Sequence, residues 1–577
     1  MILRFLALMV LAALAIAAVV YESARHPFLI GVPLLVFVFA VLFYRAVLGR
    51  SAQVRRRARA LRWRARLRLR PGPGYASLVE LVFRWGRKAA LSHGSRARPS
   101  LGFWLRLVSP TTDYAVRLGR VQYNRRVYAR MEDQVLVMAP QRTAKSGLLA
   151  DRILTHPGAV LATTTRPDLY LLTAAARARG GRPIYVFNPM GVGGLPSTFG
   201  WSILDACRDL VMARRIAGWL AGAVLTDSGG KGNIEWFEKK GDVALACLLW
   251  AAAVSGHTIA DVFNWAQRHG HETALQVLAS HPDSSTQMLA VARQMLADNR
   301  TSASVRDTIE LSLAWAIIPE LAAAVTPRPG QGFDLGRFID QNGTLYMIAS
   351  GDEDSPVTPL FRAFASYVHY TAGLMGTLAP AGRLDPPLLM ALDEVTTICP
   401  IDLPTMLSDS AGKGVLITAV AHATSQLKER WGEFGGKTVW NTCGTKILLG
   451  GLSDIDTLNE FSELCGTVVI GGRDEQPVPV APPDFIRTLP DLRALIIRMN
   501  YQPVVVKVRP AWNRLGHRLG RAPVYLPGPA TAWAEEILAD TIPGQVLESS
   551  TDHVSDGGFP YAGSLSHSDW PGSGGGD

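Results

Sequence analysis

The sequence predicts an α/β fold with a parallel-rich central sheet, an inserted all-α domain and two N-terminal transmembrane helices. Three observations carry this prediction. Short apolar runs that end at turns alternate with helical stretches before residue 200 and resume after residue 340. From about Ile203 to Val325 the pattern becomes Ala- and Leu-rich, with helical periodicity and few strand signals. Two charge-free apolar runs, Phe5–Val20 and Phe28–Tyr44, open the chain, and each approaches the ~20 residues that span a bilayer.

The first run follows Arg4 and is separated from the second by the polar break Glu22–His26. A cleaved signal peptide is the alternative for the first run, but the second would remain as an anchor in either case. Arg50 to Arg70 then holds ten Arg and no acid. Such flanks stay on the cytoplasmic side. The expected topology is multi-pass in the cell (inner or cytoplasmic) membrane, with both termini and the bulk of the protein in the cytoplasm. Of the formal net charge of +11 this run carries +10, so the other residues sum to +1. The basic character is local, and it points to membrane lipids through Arg50–Arg70 rather than to a general nucleic-acid surface.

The remaining elements follow in order. Residues 71–130 open on Pro71-Gly72-Pro73-Gly74 and carry short helical and strand-like pieces. Apolar strand candidates are Val135–Met138, Ala159–Thr163 and Pro183–Phe187, then Thr344–Ala349, Leu388–Leu392, Val415–Val420 and Lys446–Leu449. Apolar density falls after Pro527, and from Ser549 the tail is Gly-, Ser- and Asp-rich, the composition of a disordered segment. The five Cys are far apart and form no C-x-x-C pair, which reads as buried thiols in a reducing compartment. The 12 His show no metal-ligand spacing. Trp236, Phe237 and Trp315 in the helical stretch read as core aromatics, with base stacking as the alternative.

The chemistry sits after the strand Val135–Met138. There Ala139-Pro140-Gln141-Arg142-Thr143-Ala144-Lys145-Ser146 follows the P-loop template G-x-x-x-x-G-K-[ST], with Ala at both Gly positions and Gly147 next along the helix. Backbone N–H groups of such a loop cradle phosphate at a helix N-terminus. Lys145 is placed to reach the β- and γ-phosphates of ATP, and Ser146 to ligate Mg²⁺. Ala144 stands where the backbone approaches phosphate closely, so its Cβ crowds that position. Leu388–Leu392 ends in Asp393-Glu394, a Walker B layout: Asp393 in the Mg²⁺ shell, Glu394 orienting or deprotonating the attacking water. A helix-opening Lys-Ser pair and an N-capping acid are the bland readings of each half alone. Their occurrence together disfavours both.

These residues resemble TraG/TraD-type coupling proteins of conjugative type IV systems, within the FtsK/HerA ATPase superfamily, in a variant of actinobacterial look. The resemblance covers roughly 110 to 510. It rests on 139–146, Pro157-Gly158-Ala159-Val160, Tyr185-Val186-Phe187-Asn188-Pro189, Leu392-Asp393-Glu394 and Trp440-Asn441-Thr442-Cys443-Gly444-Thr445-Lys446. It implies a RecA-like P-loop motor domain, 111–202 and 327–526, split by an all-helical insertion at 203–326. It also implies two membrane helices in 1–48, a basic juxtamembrane linker at 49–110 and a C-terminal tail at 527–577. It further implies a homo-hexamer with ATP between subunits, a relaxase–DNA substrate and a type IV secretion channel as partners. Four positions depart from the family: Ala144 for Gly, Lys413 for an Arg that acts across the subunit boundary, His422 for a γ-phosphate-sensing Gln (with Gln426 one turn on), and Asn188 for Asp. The catalytic candidates are therefore Lys145, Glu394, Lys413, His422 and Gln426, with hydrolysis rate the open point. A hydrolysis-deficient scaffold or substrate receptor, and an FtsK-like DNA translocase, are the alternatives.

Overall fold

The parallel strands form because they are short, apolar and flanked by turns, which suits burial on both faces of a sheet. The structure is a computed structural model that describes residues 73–513 apart from 142, 223–232, 268–269, 297–299, 353–354 and 470–476. The two N-terminal spans, the Arg50–Arg70 run, Arg142 and the tail from 527 lie outside the described residues, as do the side chains of Trp236 and Phe237. Among the described residues no helix is long and apolar enough to cross a membrane.

Three short helices come first: α1 (Leu78–Phe83), α2 (Arg87–Ala97) and α3 (Phe103–Val108). The strands are β1 (Ala115–Arg120), β2 (Arg126–Arg130), β3 (Val135–Met138), β4 (Val160–Thr164), β5 (Ile184–Phe187), β6 (Thr344–Ile348), β7 (Leu388–Leu392), β8 (Val415–Ala421), β9 (Thr445–Leu449), β10 (Thr467–Val468), β11 (Val478–Pro479), β12 (Arg493–Arg498) and β13 (Val504–Lys507). Eleven of them make one sheet in the order β2-β1-β13-β12-β9-β3-β8-β7-β4-β6-β5, and β10 pairs with β11. From β9 to β5 all neighbours are parallel. β3, β4, β6, β7 and β8 are buried at every residue.

Sequence patterning predicted this parallel half. It did not predict the other side, where β12, β13, β1 and β2 extend the sheet antiparallel. The reason is local: β1 interleaves Arg117, Gly119 and Arg120 with its apolar residues and shifts register between Arg117 and Gly119. β12 begins and ends with Arg. Arg498 is nonetheless buried, because its Nε donates to Asp133 Oδ2 at 2.5 Å. The same oxygen accepts from Thr445 Oγ1 and from the Arg130 N–H. The Arg498 guanidinium lies 4.6 Å from the Tyr501 ring centroid, over its face. A buried charge is tolerated only when it is paired in this way.

Arg177 does similar work in the parallel half. It is 2% exposed and donates to Thr344 Oγ1 and to the carbonyls of His156, Gly158 and Asn342, tying the starts of β4 and β6 together. Between β5 and β6 the described residues form helices and turns without a strand, the longest helix being Asn233–Ser255. Trp315 there is buried and donates from Nε1 to Ser312 O, so it serves the core. The five Cys are all buried and unpaired with one another.

Candidate functional site

β3, β8 and β7 are neighbours in the sheet, aligned so that Met138 faces Ala421 and Leu392 faces Ala419. Three segments far apart in sequence therefore end at one place. The loop after β3 carries Lys145, the turn after β7 carries Asp393 and Glu394, and the turn after β8 carries His422.

The loop after Met138 turns into helix α4 (Lys145–Thr155), whose N-cap residue is Ala144. Thr143 Oγ1 donates to Pro140 O at 2.6 Å and tightens that turn. Ala144 has φ 72° and ψ 23°, the left-handed conformation that Gly adopts freely and an L-residue at a cost of about 1–2 kcal/mol. Ala144 therefore imposes backbone strain in addition to the steric crowding expected from its Cβ. Glu394, at φ 48°, is the second left-handed residue of the site. Strain at two positions flanking one cluster is the usual mark of a functional constraint.

Lys145 Nζ donates to Glu394 Oε1 at 2.6 Å and lies 4.0 Å from Asp393 Oδ1 and 3.5 Å from His422 Nε2. Ser146 Oγ donates to Asp393 Oδ2 at 3.5 Å. His422 Nδ1 is 3.0 Å from Ala139 O, a carbonyl that can only accept, so Nδ1 donates there, and Nε2 lies 3.5 Å from Lys145 Nζ and 3.8 Å from Glu394 Oε1. Gln426 Oε1 accepts from the His422 N–H at 3.0 Å and fixes that turn. Lys145, Ser146, Asp393, Glu394, His422 and Gln426 are thus brought together.

Asp393 is 3% exposed, and its Oδ1 has no hydrogen-bond partner. Burial raises its pKa to about 6, against the pull of the Lys145 charge, while Glu394 adds to the rise. A buried carboxylate oxygen left unbonded beside a Ser hydroxyl is a donor set suited to a hard divalent cation.

Two predicted residues stand elsewhere. Lys413 precedes β8 and so sits at the opposite end of that strand from His422, ~20 Å away at the rise of an extended strand. There it pairs with Asp409, beside His369 and Ser410. One chain alone does not place it at Lys145. Asn188 was grouped with the altered site positions, and the structure corrects that. It follows β5, three strands beyond β7 and ~14 Å from it at ordinary strand spacing. Its side chain bonds Val192 O, Leu195 O and the Val192 N–H, closing its own loop, a role that an amide fills because it both donates and accepts.

Sequence reading missed one neighbour of the loop. Gly147 is buried under Trp512: a Cβ at 147 would stand 2.2 Å from the indole and 2.7 Å from Pro510. Any side chain at 147 would have to displace the Trp512 ring. The contact joins positions 365 residues apart, and no local signal announces it.

Residues 387–477, which contain β7, Asp393, Glu394, Lys413, His422 and Gln426, match the family described as the TraM recognition site of TraD and TraG. The chain is 23% identical over 431 residues to Protein VirD4 of Agrobacterium fabrum, covering 70% of this chain and 62% of that protein. It is 23% identical over 450 residues to Protein VirD4 of Rhizobium rhizogenes, covering 73% and 64%. The chain therefore spans less than two thirds of the length of either curated relative. Its fold is similar to that of the bacterial conjugative coupling protein TrwB in an unbound form, with a TM-score of 0.53, 19% identity, and 70% of this chain and 90% of that one covered. TrwB in complex with ADP and Mg²⁺ gives a TM-score of 0.52 at 18% identity, with the same coverage.

Proposed function

We propose that this chain, a relative of the type IV coupling proteins of TraG/TraD/VirD4 type, is a membrane-anchored ATP-binding motor. In this reading it recruits a DNA–relaxase substrate and drives its transfer through a conjugation or type IV secretion channel. The observation that carries this is the convergence of Lys145, Ser146, Asp393 and Glu394 at the ends of β3 and β7. The fold likeness to TrwB, a protein described in complex with ADP and Mg²⁺, supports a nucleotide and a cation as ligands of this chain.

The loop Ala139–Gly147 and the first turn of α4 present N–H groups to phosphate. Ser146 Oγ and the unbonded Asp393 Oδ1 fit Mg²⁺, which when bound would offset phosphate charge. Lys145 Nζ exchanges Glu394 for the β- and γ-phosphate oxygens. Glu394, released from Lys145, orients the attacking water and accepts its proton. In this reading His422, 3.5 Å from Lys145 Nζ, senses the γ-phosphate, and Gln426 holds the turn that carries it. In this reading Lys413, at the far end of β8, acts on the site of a neighbouring subunit in a homo-hexamer with ATP between protomers. Its ammonium keeps the charge but not the bidentate fork of Arg. In this reading the helices between β5 and β6 are the insertion that receives substrate. The anchor is assigned to the two apolar runs before residue 48.

Ala144 and Lys413 also favour a second reading, a hydrolysis-deficient scaffold or receptor of the same machine. An FtsK-like translocase fits the 387–477 match less well. The test is turnover by the full-length chain in detergent, with and without DNA, against Lys145→Ala. Loss of about 10²–10³-fold in kcat is expected for removing a preorganised cation from the transition state. Equal turnover in both, with nucleotide still bound by the unsubstituted chain, selects the scaffold. Nucleotide binding that is indifferent to Lys145→Ala removes the assigned site.

A further inference from the structure

A soluble surface scatters its apolar side chains, and a cluster of them needs a cover. Of the 22 large apolar residues exposed among the described residues, eight lie between 78 and 108, in α1 and α3. Helix α3 is inverted. Its one charged residue, Arg106, is buried and donates from Nη1 to Leu101 O at 2.6 Å, while Phe103, Trp104, Leu107 and Val108 face outward. Trp104 is 76% exposed and Val108 79%. Helix α1 buries only Leu81 and presents Val79 and Phe83. Helix α2 links the two: Lys88 Nζ lies 5.1 Å from the Phe83 ring centroid, and Arg87 Nη2 donates to Leu107 O.

The charge of this segment selects its cover. Residues 78–108 hold six Arg and Lys side chains and one acid, Glu80; Arg84 is tied to Glu80 at 3.4 Å, while Arg98, paired with Asp385, and Arg106 are buried. Arg87, Lys88 and Arg96 are exposed among the apolar groups. We infer that α1 and α3 form a face that docks into the headgroup layer of an anionic lipid bilayer. Indole and phenyl rings sit at that depth, aliphatic side chains reach below it, and Arg and Lys meet lipid phosphate. A second copy of this chain packed through the same face would set basic surface against basic surface. The inference rests on the reading that the chain is anchored through its apolar N-terminal runs, and it adds a lipid contact that neither those runs nor Arg50–Arg70 supplies.

The test uses the full-length chain in vesicles of phosphatidylcholine and phosphatidylglycerol, with a nitroxide at Trp104→Cys, at Val108→Cys, or at Phe434→Cys as a remote exposed control. Collision with oxygen is compared with collision with a water-soluble nickel chelate, and flotation is measured on the same samples. Positions 104 and 108 are expected to show an oxygen-to-nickel ratio several-fold above position 434. A chain that floats while 104 and 108 behave like 434 overturns the docking face and leaves the anchor standing. Labels screened from both reagents, in vesicles and in micelles alike, mean that protein covers the face and overturn a lipid contact. A chain that does not float overturns both readings.

Discussion

Two buried charge clusters sit within the same sheet, and they are built on opposite plans. Around Asp133 three donors close on one carboxylate oxygen, Arg498 Nε, Thr445 Oγ1 and the Arg130 N–H, although Arg498 Nη2 is itself buried without a partner. Asp133 is not left-handed, although Met499 beside Arg498 is (φ 41°), and the Arg498 and Asp133 side chains are 2% and 6% exposed. Around Asp393 contacts are left open. One oxygen has no partner, Glu394 and His422 share Lys145, and Ala144 and Glu394 both hold left-handed backbone. The first arrangement spends its polar groups on stability. The second keeps bonding capacity in reserve at a cost in stability, which is how a site that must accept something else is recognised.

The comparison can be broken most forcefully at the closed cluster. Arg498→Met leaves the buried Asp133 carboxyl without its cation partner, so a loss of roughly 3–5 kcal/mol in unfolding free energy is expected. Chemical denaturation measures it, and folded molecules should still bind nucleotide. A loss below 1 kcal/mol would place Arg498 outside the structural class.

Acid should act next. Burial, then the nearby Lys413 charge, lowers the pKa of His369 to about 4, and burial followed by Arg152 holds His156 well below its usual 6.5. Both are neutral in the fold, while the unfolded chain takes up a proton at each near pH 6.5. Stability is therefore fully present above 6.5 and declines as pH falls towards 4, by about 3 kcal/mol for His369. Melting temperature against pH checks this, and His369→Gln should flatten the slope between 6.5 and 4.

The open cluster should respond in the reverse sense. Asp393→Asn removes a charge that the fold disfavours, so unfolding free energy at pH 7.5 is expected to rise by about 1–3 kcal/mol while Mg²⁺-dependent nucleotide binding is lost. Calorimetry on the variant reads both, and a fall in stability would make Asp393 another Asp133. Ala144→Gly is the finest probe. Relief of left-handed strain, less the added freedom of Gly in the unfolded chain, leaves a gain of about 0.5–1 kcal/mol. Nucleotide should bind at least as tightly, and weaker binding would assign the Cβ a positive role.

The open cluster was legible in sequence because each of its parts lies at the end of an apolar run: Lys145 after β3, Asp393 and Glu394 after β7, His422 after β8. Periodicity finds such runs, and parallel strands deliver their ends to one edge. The closed cluster was not legible. Asp133 and Arg498 are 365 positions apart, and Arg498 ends a strand whose flanking Arg residues disguise its burial. Trp512 on Gly147 escaped for the same reason of range. The left-handed turn at Ala144 escaped because Ala gives no hint of it. Asn188 misled because a motif position was read as chemistry where the side chain closes a loop.

The strand order also bears on how such a chain can change over time. The helices between Phe187 and Thr344 leave the sheet at β5, its outermost strand, and re-enter at β6, immediately beside it. Their ends are already close, so their length and content can be exchanged at a small cost in chain entropy and without moving β3, β7 or β8. Segments hung there can diversify, in nature or in the laboratory, while β7, two strands from β6, and β8 and β3 beyond it keep their places.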